Sequence, residues 1–217
     1  MCGRITLTTP DIEEVASLLE ATVSPADAAL YKPRYNAAPT DTHWIAQASP
    51  SGRVLVPAVW GFPGGMINAR SETADKRFRS ASRVIVAADG FYEWTGPRDA
   101  RQPIWFRPRD GGLLYLAGLA EVLPDNRLAF VVLTTDAEGA VARIHDRMPL
   151  VVPRDMLKDW LKLGDTLRND HASPADLARL MRRVSPNLTA TEVSARVNDV
   201  RNDDPSLLQP PSQLSLL

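Results

Sequence analysis

From about residue 30 to residue 135 the sequence is cut into short apolar runs separated by Pro, Gly, Asp and Asn, and this punctuation constrains the fold more than any other feature. The runs at residues 54–60, 84–88, 103–107, 113–119 and 128–134 have strand length and turn-forming flanks, which predicts that they lie in one sheet or barrel. Ahead of them, Ile12, Val15, Leu18 and Leu19 recur at helical spacing, with Thr9 as the expected N-cap and Pro10 in the first helical position. After them, residues 137–144 read as a short helix, residues 154–163 and 174–183 as longer ones, and the Pro-rich tail over 205–217 as irregular. The order helix, many strands, then helices favours an α+β domain over a doubly wound α/β one. No internal repeat or interdomain linker interrupts residues 1–217, so the expectation is a single domain.

Composition narrows the setting. A chain of 217 residues that is 44% apolar can bury a sizeable core. No stretch approaches the roughly 20 apolar residues that span a membrane, and the N-terminus lacks a secretory pattern, which predicts a cytosolic protein. Cys2 is the sole cysteine, so there is no disulfide framework, and no Cys/His spacing suggests a structural zinc site. Neither a metal nor another cofactor is expected. The formal charge of -1 gives no global sign of a polyanionic partner. Of 25 basic residues 21 are arginine, a bias that suits phosphate binding but that a GC-rich genome would equally produce.

Several clusters could carry chemistry. Met1, Cys2, Gly3 and Arg4 open the chain, and the small second residue permits removal of Met1, which would make Cys2 a terminal 1,2-aminothiol. An α-amine titrates near 7.7–8.0 and a thiol near 8.5, so both are nucleophilic at neutral pH: the amine forms an imine with an aldehyde, and the thiol can close on it to a thiazolidine. The alternative is an inert cysteine in a frayed terminus. Gly90, Phe91, Tyr92, Glu93 and Trp94 set a carboxylate among aromatic rings at a strand end or turn, where desolvation would raise its pKa toward neutrality; a solvent-facing Glu93 on a half-exposed strand fits the same pattern. His145, flanked by Asp146 and Arg147, can be held in one tautomer and shuttle protons, or can make a structural turn contact. His43 and His171 lie in polar, loop-like sequence. Asn68, Ala69 and Arg70, followed by Glu72 and Thr73, combine an orienting amide with a phosphate-binding arginine. Arg70, Lys76, Arg77, Arg79 and Arg83 form a basic stretch that a solvated helix face would also explain. Arg34, Tyr35, Asn36 and the residues to Thr40 read as a rigid loop.

Taken together and in order, these clusters resemble the SRAP family, the SOS response-associated peptidase-like or abasic-site processing proteins. The matching residues are Met1 to Arg4; Arg34, Tyr35, Asn36 and Pro39; Trp60 and Gly61; Asn68 to Arg70 with Glu72 and Thr73; Ala88 to Trp94; His145 to Pro149; and a closing segment with Val193, Ser194, Val197, Asn198 and Val200. The resemblance implies a mixed sheet closing into a barrel-like core with peripheral helices, and an N-terminal cysteine in a groove that binds single-stranded DNA. By the same resemblance Cys2 would form a thiazolidine with a ring-opened abasic deoxyribose, protecting the lesion during the DNA damage response. Glu93 would be the acid and base for ring opening and imine proton transfers, and would assist release. Asn68 would position the Cys2 amine or the sugar, and His145 would stabilise or protonate the sugar oxygen. Arg4 and Arg70 would hold flanking phosphates, and Pro39, Trp60, Trp94 and Thr135 would complete the DNA contacts. A monomer in a bacterial cytoplasm, nucleoid-associated when bound to DNA, is the accompanying expectation.

One departure stands out. Family members commonly carry a longer, tryptophan-containing loop before the Asn-Ala-Arg cluster, whereas only residues 62–67 separate Gly61 from Asn68 here. Base stacking contributes about 1–3 kcal/mol per aromatic, so if that loop stacks beside the lesion its shortening implies weaker flanking-DNA contacts or tolerance of a different junction, without loss of chemistry at Cys2. Two other readings remain open at this level: a cysteine peptidase or N-terminal-nucleophile hydrolase acting at least on its own Met1, with His145 as base, and a DNA-binding module without chemistry. Lyase activity at the abasic site is likewise undecided.

Overall fold

The computed structural model of the chain describes residues 2–74, 78, 80–97, 99–166 and 186–211. Two sheets with few helices make up the fold, in keeping with the α+β expectation. The first is antiparallel throughout, in the order β12–β8–β7–β1–β2: β1 is Ile5–Leu7, β2 Arg34–Ala37, β7 Gly90–Thr95, β8 Gln102–Pro108 and β12 Leu188–Glu192. The second is mixed and contains β3 (Thr42–Ser49), β4 (Gly52–Trp60), β5 (Asn68–Arg70), β6 (Ser82–Ala88), β9 (Leu114–Val122), β10 (Leu128–Asp136) and β11 (Arg147–Pro149). Its pairings run β10–β4–β3–β6–β9 and return to β10, while β5 and β11 attach to β10.

Both faces of this second sheet are buried, which is why its strands read as continuous apolar runs instead of alternating ones. Along β6, Val84, Val86 and Ala88 enter a cluster shared with the first sheet (Ile5, Phe91, Phe106), while Ile85 and Ala87 face a cluster covered by helices α1 (Ile12–Leu18) and α3 (Leu157–Thr166). In the shared cluster Phe91 stacks on Phe106 at 5.2 Å between centroids and Trp60 on Phe130 at 6.0 Å. Burying one such ring contributes on the order of 2–3 kcal/mol. A third, smaller cluster sets Tyr92 against Val193, Val197 and Leu207.

Gly90 shows how tightly β1, β7 and β8 converge. A Cβ there would lie 2.2 Å from Trp105 Nε1 and 2.9 Å from both the Phe106 carbonyl and Thr6 Oγ1, so no larger residue fits at the start of the strand that carries Glu93.

Several elements differ from the sequence-based expectation. Asp11, not Thr9, caps α1, because its carboxylate accepts from the Glu13 N–H. A four-residue helix α2, Pro25–Ala28, precedes β2 and was not anticipated. Residues 34–37, read as a loop, form β2, and residues 42–49, not assigned at all, form β3. Only residues 141–143 of the expected 137–144 helix are helical, as one 3₁₀ turn. The helix expected over 154–163 begins as a 3₁₀ turn at Arg154–Met156 and continues as α3. Within the tail, Pro205–Leu208 is a 3₁₀ turn capped by Asp204 and not irregular. The helix expected at 174–183 and the end of the tail lie outside the described residues. The shortened 62–67 segment closes as a tight turn, with Phe62 N–H donating to the Met66 carbonyl at 2.8 Å and Gly64 and Gly65 at positive φ. Its aromatic residue, Phe62, is buried against Phe78 and presents no stacking surface.

Candidate active site

The register of the first sheet brings the N-terminus to Glu93. Ile5 pairs with Phe91 and Thr6 with Gly90, and the Tyr92 N–H donates to the Arg4 carbonyl at 3.1 Å. Continued toward the terminus, that antiparallel register sets residue 3 opposite Glu93 and residue 2 beside Trp94. Glu93 therefore sits within β7, not at a strand end or turn as the sequence suggested, and it is 2% exposed. Cys2 is fully buried.

The second sheet closes the site from the other side. β5 runs parallel to β10, with Asn68 beside Val132, and Asn68 Nδ2 donates to the Cys2 carbonyl at 2.8 Å. Asn68 Oδ1 is buried and has no hydrogen-bond partner among the described residues, which leaves one acceptor at the cysteine. His145 follows the 3₁₀ turn and leads into β11; its Nδ1 accepts from the Arg147 N–H at 2.9 Å and lies 2.9 Å from an Asp146 carboxylate oxygen.

Electrostatics link these groups. Burial pushes the Cys2 thiol well above its usual range, and the Glu93 charge raises it further, against opposing pulls from the terminal amine and the Arg4 N–H. Burial also raises the Glu93 carboxyl, with the terminal amine and His145 pulling it down and Asp146 raising it. Burial thus acts in one direction on both groups, disfavouring the thiolate and the carboxylate in this corner.

Arg4, Pro39 and Trp94 line one concavity of about 550 Å³ together with Gly3, Arg101 and Asn198. The Arg4 guanidinium lies 5.8 Å from the Trp94 ring centroid, and the Trp94 indole N–H donates to Asn198 Oδ1 at 2.7 Å. Arg70 is exposed at the end of β5. Thr135 is 6% exposed, and its Oγ1, buried on β10, has no hydrogen-bond partner among the described residues.

Trp60 does not fit the groove role assigned to it. It has no exposed surface, stacks on Phe130, and donates its indole N–H to the Ile67 carbonyl at 3.0 Å; it supports the Asn68 strand from within the core. His43 is also displaced from its expected loop: it is fully buried on β3, its Nε2–H donating to the Ala87 carbonyl at 2.6 Å. Burial lowers its pKa to about 4. Arg83, grouped with the basic stretch, is buried over the Trp160 ring at 4.6 Å. Lys76, Arg77, Arg79 and His171 lie outside the described residues.

The sequence underweighted Arg147. Its guanidinium grips both Glu72 oxygens at 2.9 and 3.0 Å, Asp136 at 2.5 Å and the Thr134 carbonyl at 2.7 Å, tying the turn after β5 to β10 and β11. Charged residues of both signs within the matching clusters were the available signal, but only the fold pairs them.

The SOS response associated peptidase (SRAP) model matches residues 1–200. The chain belongs to the SRAP family. Among curated members it is 28% identical to the abasic site processing protein YedK of Escherichia coli, over 82% of this chain and 84% of that one. It is 29% identical to YoqW of Bacillus subtilis, also named an abasic site processing protein, over 96% of this chain and 99% of that one. A solved phage-related protein of Bordetella bronchiseptica shares the SRAP chain's architecture at a TM-score of 0.65 and 26% identity, covering 88% of this chain and 94% of that one. A Bacteroides thetaiotaomicron protein of 17% identity shares the fold at a TM-score of 0.75.

No described helix is long and apolar enough to cross a membrane, and the described residues contain no group of three or more metal-ligating acidic, His or Cys side chains.

Proposed function

We propose that this SRAP chain captures abasic sites in single-stranded DNA through the aminothiol of Cys2 after Met1 has been removed. One observation carries the reading: Cys2 is buried beside a raised Glu93 carboxyl while Asn68 holds its carbonyl at 2.8 Å. A thiol held protonated is a poor first nucleophile, whereas a freed α-amine titrates near 7.7–8.0 and can attack first.

The steps then balance. Protonation of the sugar ring oxygen and loss of the O1 proton open the abasic deoxyribose to its aldehyde; His145 serves the ring oxygen, and Glu93 takes the proton. The amine adds to the aldehyde carbon, and protonation of the resulting hydroxyl by Glu93 expels water to give an iminium ion. Cys2 Sγ bonds to the former aldehyde carbon as its proton passes to Glu93 and the C=N electron pair returns to nitrogen. The product is a thiazolidine, and one water is released overall. Arg4 and Arg70 hold flanking phosphates, while Pro39, Trp94 and Thr135 contact the strand.

The peptidase reading in the family's name finds less support. A cysteine protease needs a depressed thiol pKa, and burial here acts in the opposite direction.

Incubation of Met1-processed protein with a single-stranded oligonucleotide bearing one abasic site tests the proposal. A denaturant-resistant species with the mass of protein plus DNA minus water is expected, and Cys2→Ala should abolish it. Acetylating the α-amine should also abolish it; an adduct that survives this block, or no adduct from processed wild type, overturns the reading.

A further inference from the structure

Asn36 is fully buried, and its side chain connects two parts of the molecule far apart in sequence. Its Oδ1 accepts from Arg4 Nη1 at 2.8 Å, and its Nδ2 reaches the carbonyls of Val197, Asp199 and Asn202 at 3.1, 3.2 and 2.9 Å. Arg4 Nη1 also donates to the Val197 carbonyl at 2.7 Å. The backbone of the same short strand is tied to the same segment, with the Tyr35 and Asn36 N–H groups donating to Asp203 Oδ1 at 2.6 and 2.9 Å. Arg34 pairs with the other oxygen of Asp203. Residues 194–208 thus form a strap laid across the edge of β2, and Asn198 on that strap holds the indole of Trp94.

Only a primary amide offers both an acceptor to a guanidinium and two N–H donors to backbone carbonyls from one planar group. The consequence falls on Arg4. Fixing Nη1 orients the planar fork, and no hydrogen bond from Nε or Nη2 to a described residue competes for the two remaining donor atoms at the concavity shared with Trp94 and Pro39.

We infer that Asn36 is a positioning residue for strand binding: through the strap it presets the Arg4 fork to take a flanking phosphate beside the Trp94 ring. This rests on the proposed capture function only in taking single-stranded DNA as the ligand. A preset fork loses less side-chain entropy on binding than a free one, so the effect should appear as a lost ionic contact and not as general loosening.

The test is a double-mutant cycle read by salt-dependent binding of a single-stranded oligonucleotide. Asn36→Ala should weaken binding about fivefold and lower the slope of log K against log salt by about 0.7, the value of one single-strand phosphate contact. Arg4→Ala should do the same, and the double variant should be no worse than Arg4→Ala alone. Arg4→Lys, which keeps the charge but not the planar fork, should also weaken binding, because an ammonium on a flexible stem is not preset by Asn36 as the guanidinium is. That variant keeps the inference falsifiable if Asn36→Ala fails to fold. A full salt slope in Asn36→Ala, additive losses, or an unchanged Arg4→Lys each overturns the inference. Wild type that binds no single-stranded DNA overturns the functional reading beneath it, while wild type that binds but forms no adduct sinks capture alone.

Discussion

The two sides of the site are held by different forces. On the side of the first sheet, Cys2, Arg4, Asn36, Glu93 and Trp94 are fixed by strand register and by hydrogen bonds to strap carbonyls, and three of the five are buried to 2% exposure or less. On the side of the second sheet, Asn68, Arg70, Thr135 and His145 hang from β5, β10 and the turn before β11, braced by the Arg147 ion pairs with Glu72 and Asp136. The Glu72 and Asp136 side chains are 33% and 72% exposed. A dry corner suits proton transfer because little solvent reorganises there; a half-exposed, charge-braced rim suits an anionic strand but is open to screening.

The largest effect should come from breaking the dry side. Glu93→Gln keeps shape and removes the proton acceptor, so single-turnover capture should slow about 10²–10⁴-fold. Binding of the strand should hold or tighten, since a negative charge is lost; equal loss of affinity and rate would mean that Glu93 acts only in binding.

A second prediction concerns the core behind both sides. His43 takes up a proton at about 4 in the folded protein and near 6.5 when unfolded, so between those values the unfolded state binds more protons. Stability is therefore fully present above pH 6.5 and declines as pH falls toward 4, by about 3 kcal/mol in all. Chemical denaturation of His43→Gln, which retains an N–H for the Ala87 carbonyl, should show a flatter profile over that window.

On the charge-braced side, Arg147→Ala should cost about 2 kcal/mol, because it leaves the Thr134 carbonyl and Glu72 without their shared donor. Wild type should lose part of that difference in 1 M salt; an equal gap at low and high salt would argue against the ionic brace. The smallest structural effect is expected for the exposed Arg70: Arg70→Ala should change stability by less than about 0.5 kcal/mol, yet lower the salt slope of strand binding by about 0.7.

The sequence by itself made much of the candidate site legible as residue types. Cys2, Asn68, Glu93 and His145 stand in recognisable clusters, and five of the strands were legible from apolar runs bounded by turn residues. Trp60, given a groove role by the family resemblance, and His43, read as loop-like from its neighbours, both lie in the core. Neither side chain's direction is decided by its neighbours in sequence, Val59 and Gly61 for Trp60 and Thr42 and Trp44 for His43; packing against Phe130 sets both in the core. Tertiary structure alone could assign β2 and β3, because their backbone groups are satisfied by partners distant in the chain, and period-2 alternation fades where strands are covered on both faces. It alone joins Asn36 to Arg4 and to the carbonyls of residues 197–202, separations of 32 and 161–166 positions that no local pattern encodes. Residue type set which chemistry was available; long-range hydrogen bonds and burial determined which groups meet and which protons they hold.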